Sequence, residues 1–390
     1  MARQAFAAAG IFAEGGIETD RLLLVDNGEF IGFDTRENVK KLGIQVHEYE
    51  ECYILPGLFD SHIHGAMGKD TMDASAESLD IIGRYLLSCG ITSWMPTTVT
   101  APMADIENAL RNVASYMPAR DAARPMGCFV EGPYLTKEHR GAHPTEYLRE
   151  VSTEEFDKLL ASGSMKAVAL APEKPNALAF IDYARRHGVH ISLAHTSASY
   201  EEAVLAIEHG ADAAVHTYCG MSTMHHRCVN LLGAALTRDN IYAELIADGI
   251  HVSKPAMDIL LRCKPKDKVI LVSDAISAAG LPDGDYVLGV EAVHVKGGIP
   301  HTDSGSLAGS TTNLLAEVRR LILELGKNTL DVVHMASLNP SRRFGFDERI
   351  GSIRSGKLAD FIVVDRAYQL KEVWKDGVMC FRHGGIGMGE

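Results

Sequence analysis

No apolar run in this 390-residue chain approaches the ~20 residues that a membrane-spanning helix requires, so no membrane association is expected. Basic residues are also in short supply. Lys and Arg total 38 against 51 Asp and Glu, a formal net charge of −13, which argues against nucleic acid as a partner. That balance leaves room for a small anionic ligand, provided a few cations or a metal are concentrated locally. The seven cysteines are odd in number, scattered and never spaced C-x-x-C, which excludes a disulfide framework and a zinc knuckle. Reduced thiols and a cytoplasmic location are expected instead. Arg3 followed by the apolar Ala5–Ala13 faintly resembles a secretory leader, but it runs into Glu14-Gly15-Gly16 without a polar break or cleavage box. Internal repeats and low-complexity linkers are missing as well.

What is present is ordinary globular material, 46% hydrophobic and 23% charged, long enough for one large domain and a smaller one. Short strand patterns with turn signals fill residues 1–55: Ala5–Phe12, Arg21–Val25, Phe30–Phe33 and Gln45–Tyr49, with Asp26-Asn27-Gly28 as a hairpin turn. The far end reads the same way, with Phe361–Val364, a Lys375-Asp376-Gly377 turn and Val378–Phe381. Between them, apolar strands alternate with amphipathic helices. The candidate strands are 57–62, 91–98, 126–131, 165–171, 189–195, 212–216, 241–246 and 268–273. Helical patterns fill the gaps at Ala76–Ser88, Phe180–His187, Glu201–His209 and Pro255–Arg262. Eight such units predict an α/β fold, a (β/α)8 TIM barrel over 56–351, with a small β-sandwich domain built from 1–55 and 352–390. Residues 280–311, rich in Gly and Asp, read as an elaborated loop after the eighth strand.

In such a barrel the functional groups sit at the C-terminal ends of the strands. Strand after strand here ends in a residue able to bind metal: His62 and His64, Glu131, His195, His216 and Asp274. Singly, each has a plainer reading. The H-x-H pair fits surface histidines, His195 and His216 fit structural histidines, Asp274 fits a helix cap, and Glu131 fits a solvated loop carboxylate. Six together on one barrel face are hard to explain so. Imidazole and carboxylate suit zinc and similar divalent ions, and buried charges need a partner.

The run Leu55-Pro56-Gly57-Leu58-Phe59-Asp60-x-His62-x-His64-Gly65 resembles the first-strand signature of the amidohydrolase superfamily. Glu131-Gly132-Pro133-Tyr134, Ala194-His195-Thr196, Val272-Ser273-Asp274-Ala275 and Leu307-Ala308-Gly309-Ser310 are similar to the N-acetylglucosamine-6-phosphate deacetylases within it. The tail from Asn339-Pro340 through Gly351-Ser352-Ile353 to Asp360 is similar too, so the likeness spans nearly the whole chain. It implies hydrolysis of the N-acetyl group of an amino-sugar 6-phosphate, with one divalent ion on Glu131, His195 and His216. His62 and His64 would permit a second, with Glu131 and Asp274 in reach of it. Zinc is the first expectation, with iron, manganese or cobalt as alternatives. Asp274 would be the general base and then the acid, and His143 the donor to the oxyanion. Substrate contacts fall on Ala142, His143, Cys219, Gly220, Arg227, Asp248, Gly249, Ile250, His251, Leu307, Ala308 and Gly309. The resemblance also implies a homodimer or higher homo-oligomer in which Arg227 reaches a neighbouring site, as befits a guanidinium that matches phosphate.

Two stretches depart from the pattern. The family usually carries Asn-Ala where this chain has Cys219-Gly220, and Glu-Pro-Gly where it has Cys228-Val229-Asn230. Backbone contacts would survive the first change and side-chain contacts would not, so an epimer such as N-acetylgalactosamine 6-phosphate stays open. Another superfamily amide hydrolase is a further alternative. Many of those relatives carry a metal-bridging carboxylated lysine near the end of the fourth strand, where this chain has Pro172-Glu173 and only then Lys174. A non-catalytic barrel scaffold would be expected to lose ligands, and all six are kept.

Overall fold

The computed structural model describes residues 3–384. Eight parallel strands form a near-closed barrel: Leu58–Ile63, Ile91–Thr98, Cys128–Tyr134, Met165–Leu170, His190–Leu193, Ala213–Ala214, Tyr242–Leu245 and Val269–Leu271. Every one overlaps a strand read from the sequence. The first and eighth meet through Asp274 N–H donating to His62 O at 3.0 Å and Ser273 Oγ donating to Asp60 Oδ2 at 2.6 Å.

Helices wrap the barrel because their apolar residues recur at helical spacing. In Ala76–Ser88, Leu79, Ile82 and Leu86 are buried, and Ser75 caps the start by accepting from Ser78 N–H. Tyr200–Glu208 opens with a capping box between Ser199 and Glu202. Inside the barrel, Phe59, Met95, Phe129, Ala167, Ala169, Ala194 and Val215 fill the axis, and Phe344 and Ile350 close it from below. Strand periodicity then does the positioning: Glu131, two residues beyond Phe129, points inward one layer higher.

Strands from both ends of the chain join in one eight-stranded sheet. Gln45–Pro56 is its hinge, pairing parallel with Gln4–Ala13 and antiparallel with Phe361–Asp365. Phe30, on the edge strand Glu29–Asp34, meets Phe361 four strands away at 6.1 Å between ring centroids. The sheet therefore curls over a shared core of Phe6, Phe30, Phe361 and Trp374. Among the elements of this region that escaped the sequence reading are the six-residue helix Arg36–Lys41 and the strand Leu370–Lys375. Both are short, and alternating charge masks their period. The loop after the eighth strand contains a three-stranded antiparallel sheet, Gly284–Leu288, Glu291–Lys296 and Ile299–Thr302. No described helix is long and apolar enough to cross a membrane, and all seven cysteines are free thiols.

Candidate active site

The six residues expected at the strand ends converge. His62, His64, Glu131, His195, His216 and Asp274 are all at most 8% exposed. His64 Nε2 stands 3.1 Å from Glu131 Oε2 and 3.2 Å from Asp274 Oδ1, and His62 Nε2 is 3.5 Å from each of the same oxygens. On the other side of Glu131, Oε1 lies 3.3 Å from His195 Nε2 and 3.1 Å from His216 Nε2, which are 3.2 Å from each other. The two carboxylate oxygens of Glu131 thus divide the cluster into two groups, each of three residues whose ligand atoms lie within 4.8 Å of one another.

Tautomers follow from the outer hydrogen bonds. His195 Nδ1 donates to His139 O at 2.6 Å and His216 Nδ1 donates to Cys219 O at 3.2 Å. Each ring has therefore committed its Nδ1 proton to a carbonyl, and both Nε2 atoms turn toward one carboxylate oxygen. Three such atoms in contact need positive charge among them. Protons on the imidazoles or a divalent cation can supply it, and the imidazole–carboxylate donor set fits a metal. His62 Nε2 is buried without a hydrogen bond, which makes the same point for the second group. His195, His216 and Asp274 hold φ of 46°, 28° and 48°, a left-handed backbone that costs about 1–3 kcal/mol each for non-glycine residues. Strain of this kind persists where the surroundings dictate it.

Electrostatics agree. Burial alone would push Asp274 up, but the His62 and His64 imidazoles hold it down at about 2. Burial would likewise raise Glu131, and the histidines around it hold it well below the carboxylate range. Burial opposes a charged His64, yet its bonds to Asp274 and Glu131 carry it up to about 9. His143 goes the other way. Burial, then His195, push it well down, so it is neutral. Thr100 N–H donates to His143 Nδ1 at 3.3 Å, which leaves the proton on Nε2, 3.7 Å from Glu131 Oε2. A neutral imidazole with a fixed Nε2–H beside the cluster is suited to donate to a developing oxyanion.

A cavity of about 390 Å³ opens above these groups. Ala142, His143, Cys219, Gly220, His251, Leu307 and Gly309 line it, as expected from the sequence. Ala308 is buried beneath it, and Asp248 instead makes the turn that carries His251, accepting from Ile250 N–H, His251 N–H and His251 Nδ1. Gly249 and Ile250 are exposed on that turn. Arg227 lines a separate cavity of about 240 Å³ with Ser199, Tyr200 and His226. Lys174 pairs with Glu150 at 3.0 Å and is no part of the pocket. Among the described residues lining the pocket there is no lysine or arginine.

Several residues here were assigned no role from the sequence. Glu138 and Ser306 line the pocket from loops, and Leu288 from the end of the strand Gly284–Leu288. Glu244 accepts from His62 Nδ1 at 3.2 Å, and Asp60 accepts from Ser273 Oγ. A signal for the last two existed: each is a lone carboxylate inside an apolar strand, where an unpaired charge is costly.

Residues 53–380 match the amidohydrolase family. An N-acetylglucosamine-6-phosphate deacetylase of Vibrio furnissii is 40% identical over 331 residues, 84% of this chain and 83% of that one. An N-acetylgalactosamine-6-phosphate deacetylase of Escherichia coli O157:H7 is 38% identical over 345 residues, 88% of this chain and 91% of that one. The crystal structure of N-acetylglucosamine-6-phosphate deacetylase from Pasteurella multocida superposes with a TM-score of 0.91 at 28% identity, covering 97% of this chain and 99% of that one.

Proposed function

The chain belongs to the amidohydrolase family, and from that premise we propose that it hydrolyses the N-acetyl group of N-acetylglucosamine 6-phosphate or a close amino-sugar 6-phosphate. Water and the amide give acetate and the free amino sugar phosphate. The observation that carries this reading is the convergence of His195 Nε2, His216 Nε2 and Glu131 Oε1 within 3.3 Å, with Asp274 across the cluster. Glu131, His195 and His216 would hold one divalent ion, zinc foremost, and His62 and His64 a second. When bound, such an ion polarises the amide carbonyl and makes water nucleophilic at neutral pH.

The chain's own residues do the rest. Asp274, ionised at neutral pH, takes a proton from the attacking water and delivers it to the departing nitrogen. His143 donates its Nε2–H to the carbonyl oxygen as negative charge develops there. Leu288 and Leu307 supply an apolar wall that keeps bulk water out. With no lysine or arginine in its own pocket, the chain would meet the phosphate through His251 and through Arg227 of the partner subunit in a homodimer or larger assembly, in the cytoplasm.

A second substrate reading, N-acetylgalactosamine 6-phosphate, is supported by the similarity to the Escherichia coli relative and by Cys219-Gly220 in the pocket. Acetate release from a panel of N-acetylhexosamines, with and without the 6-phosphate, tests both. A strong 6-phosphate preference is expected, and the faster epimer identifies the sugar. Equal turnover of unphosphorylated sugars overturns the proposal.

A further inference from the structure

The two halves of the cluster are supported in different ways. His195 and His216 lean on backbone carbonyls, those of His139 and Cys219, supplied by the loops beside them. His62 leans on a side chain. Its Nδ1 lies 3.2 Å from Oε2 of Glu244, which is fully buried on the seventh strand between Ala243 and Leu245. Glu244 is held in turn. Arg343, from the helix Leu338–Arg343 below the barrel, donates Nη1 to Glu244 Oε1 at 2.9 Å. Its Nη2 donates to Ser192 Oγ at 2.6 Å and to Asp212 Oδ1 at 3.0 Å, so the guanidinium is anchored on the fifth strand and at the foot of the sixth. A continuous line of buried hydrogen bonds runs through the barrel axis, from the plug to the cluster.

We propose that Glu244, fixed by Arg343, is the positioning residue that sets the tautomer of His62 and so decides whether the His62–His64 half of the cluster takes up a divalent cation. This rests on the reading of two cation subsites given above. The physical reason is proton placement. A carboxylate can only accept, so Glu244 keeps the His62 proton on Nδ1 and leaves the Nε2 lone pair facing Glu131 Oε2 and Asp274 Oδ1. The Glu131–His195–His216 half needs no such help, because a peptide carbonyl performs the same task without a charged partner to be held. Glu244 and Arg343 do not line the cavity, and the Glu244 side chain reaches the cluster through His62.

Glu244→Gln separates the two halves. With its oxygen turned to Arg343, the amide would present N–H to His62 Nδ1 and force the ring proton onto Nε2. Zinc stoichiometry by mass spectrometry after equilibrium dialysis is expected to be two ions for wild type and one for Glu244→Gln. The lost site should be about 10–100-fold weaker and the remaining one unchanged. Two ions in both proteins, or a single ion in wild type, overturns the role of Glu244. Wild type that takes up no ion overturns the proposed function itself. Should Glu244→Gln fail to fold, nitrogen-15 spectra of histidine-labelled, zinc-loaded wild type, with His62→Asn to assign the signal, read the tautomer directly. A proton on His62 Nδ1 supports the inference, and one on Nε2 ends it.

Discussion

The mouth of the barrel and the sheet built from the chain ends bury their side chains by opposite means. In the sheet, Phe361 stacks on Trp374 at 5.5 Å and 8° between planes, while Phe6 meets each of them edge-on at 4.9 Å. These ring contacts are apolar, and the polar atom among them is paired, Trp374 Nε1 donating to Glu372 Oε2 at 3.0 Å, so the core is complete in the folded chain. At the mouth, five histidines and two carboxylates are buried together, each with a ring nitrogen or carboxylate oxygen within 3.7 Å of another, and three residues are on strained backbone. That region becomes favourable only with added positive charge. One region stabilises the fold, and the other spends stability to hold a reactive arrangement ready.

Substitutions should respond accordingly. The largest effect is expected at the mouth. Asp274→Asn should lower kcat by about 10²–10⁴-fold while bound metal is retained, because the amide keeps the shape but cannot carry the proton. Steady-state kinetics on protein of measured metal content checks it, and unchanged kcat would erase the catalytic contrast. In the sheet, Phe361→Ala should cost about 3–5 kcal/mol of stability, read from denaturant midpoints, with kcat per folded molecule unaltered. A parallel loss of kcat would mean that the sheet helps shape the pocket.

The smallest effect concerns pH. Asp70, buried beside the mouth and bonded to Met72 N–H, has its carboxyl pushed up to about 6 by burial. Its folded value lies above the unfolded value of about 3.9, so the folded chain holds this proton more tightly. The stability it contributes is full below about pH 4 and fades as pH rises through about 6. Asp70→Asn should therefore gain on wild type across that interval in paired urea titrations. A constant difference between the two would show the carboxyl to be well solvated.

Much of this was legible in the chain. All eight barrel strands were visible as apolar runs, because a strand covered on both faces must be apolar throughout. The histidines and carboxylates were visible because each stands where such a run ends. The helix Arg36–Lys41 and the strand Leu370–Lys375 were not, since both are short and mix charged with apolar residues. Glu244 and Asp60 were hidden for another reason. Inside a strand a lone carboxylate looks like an error until the partner is seen, and the partners lie 99 and 213 residues away.

Residue order alone thus settled which groups stand at the strand ends, since two-residue alternation and helical spacing are local properties of the chain. Which proton each imidazole carries was decided only by the tertiary structure. A tautomer depends on what faces the second nitrogen, and for His62 and His195 that is a carboxylate or a carbonyl brought in from 182 and 56 residues away.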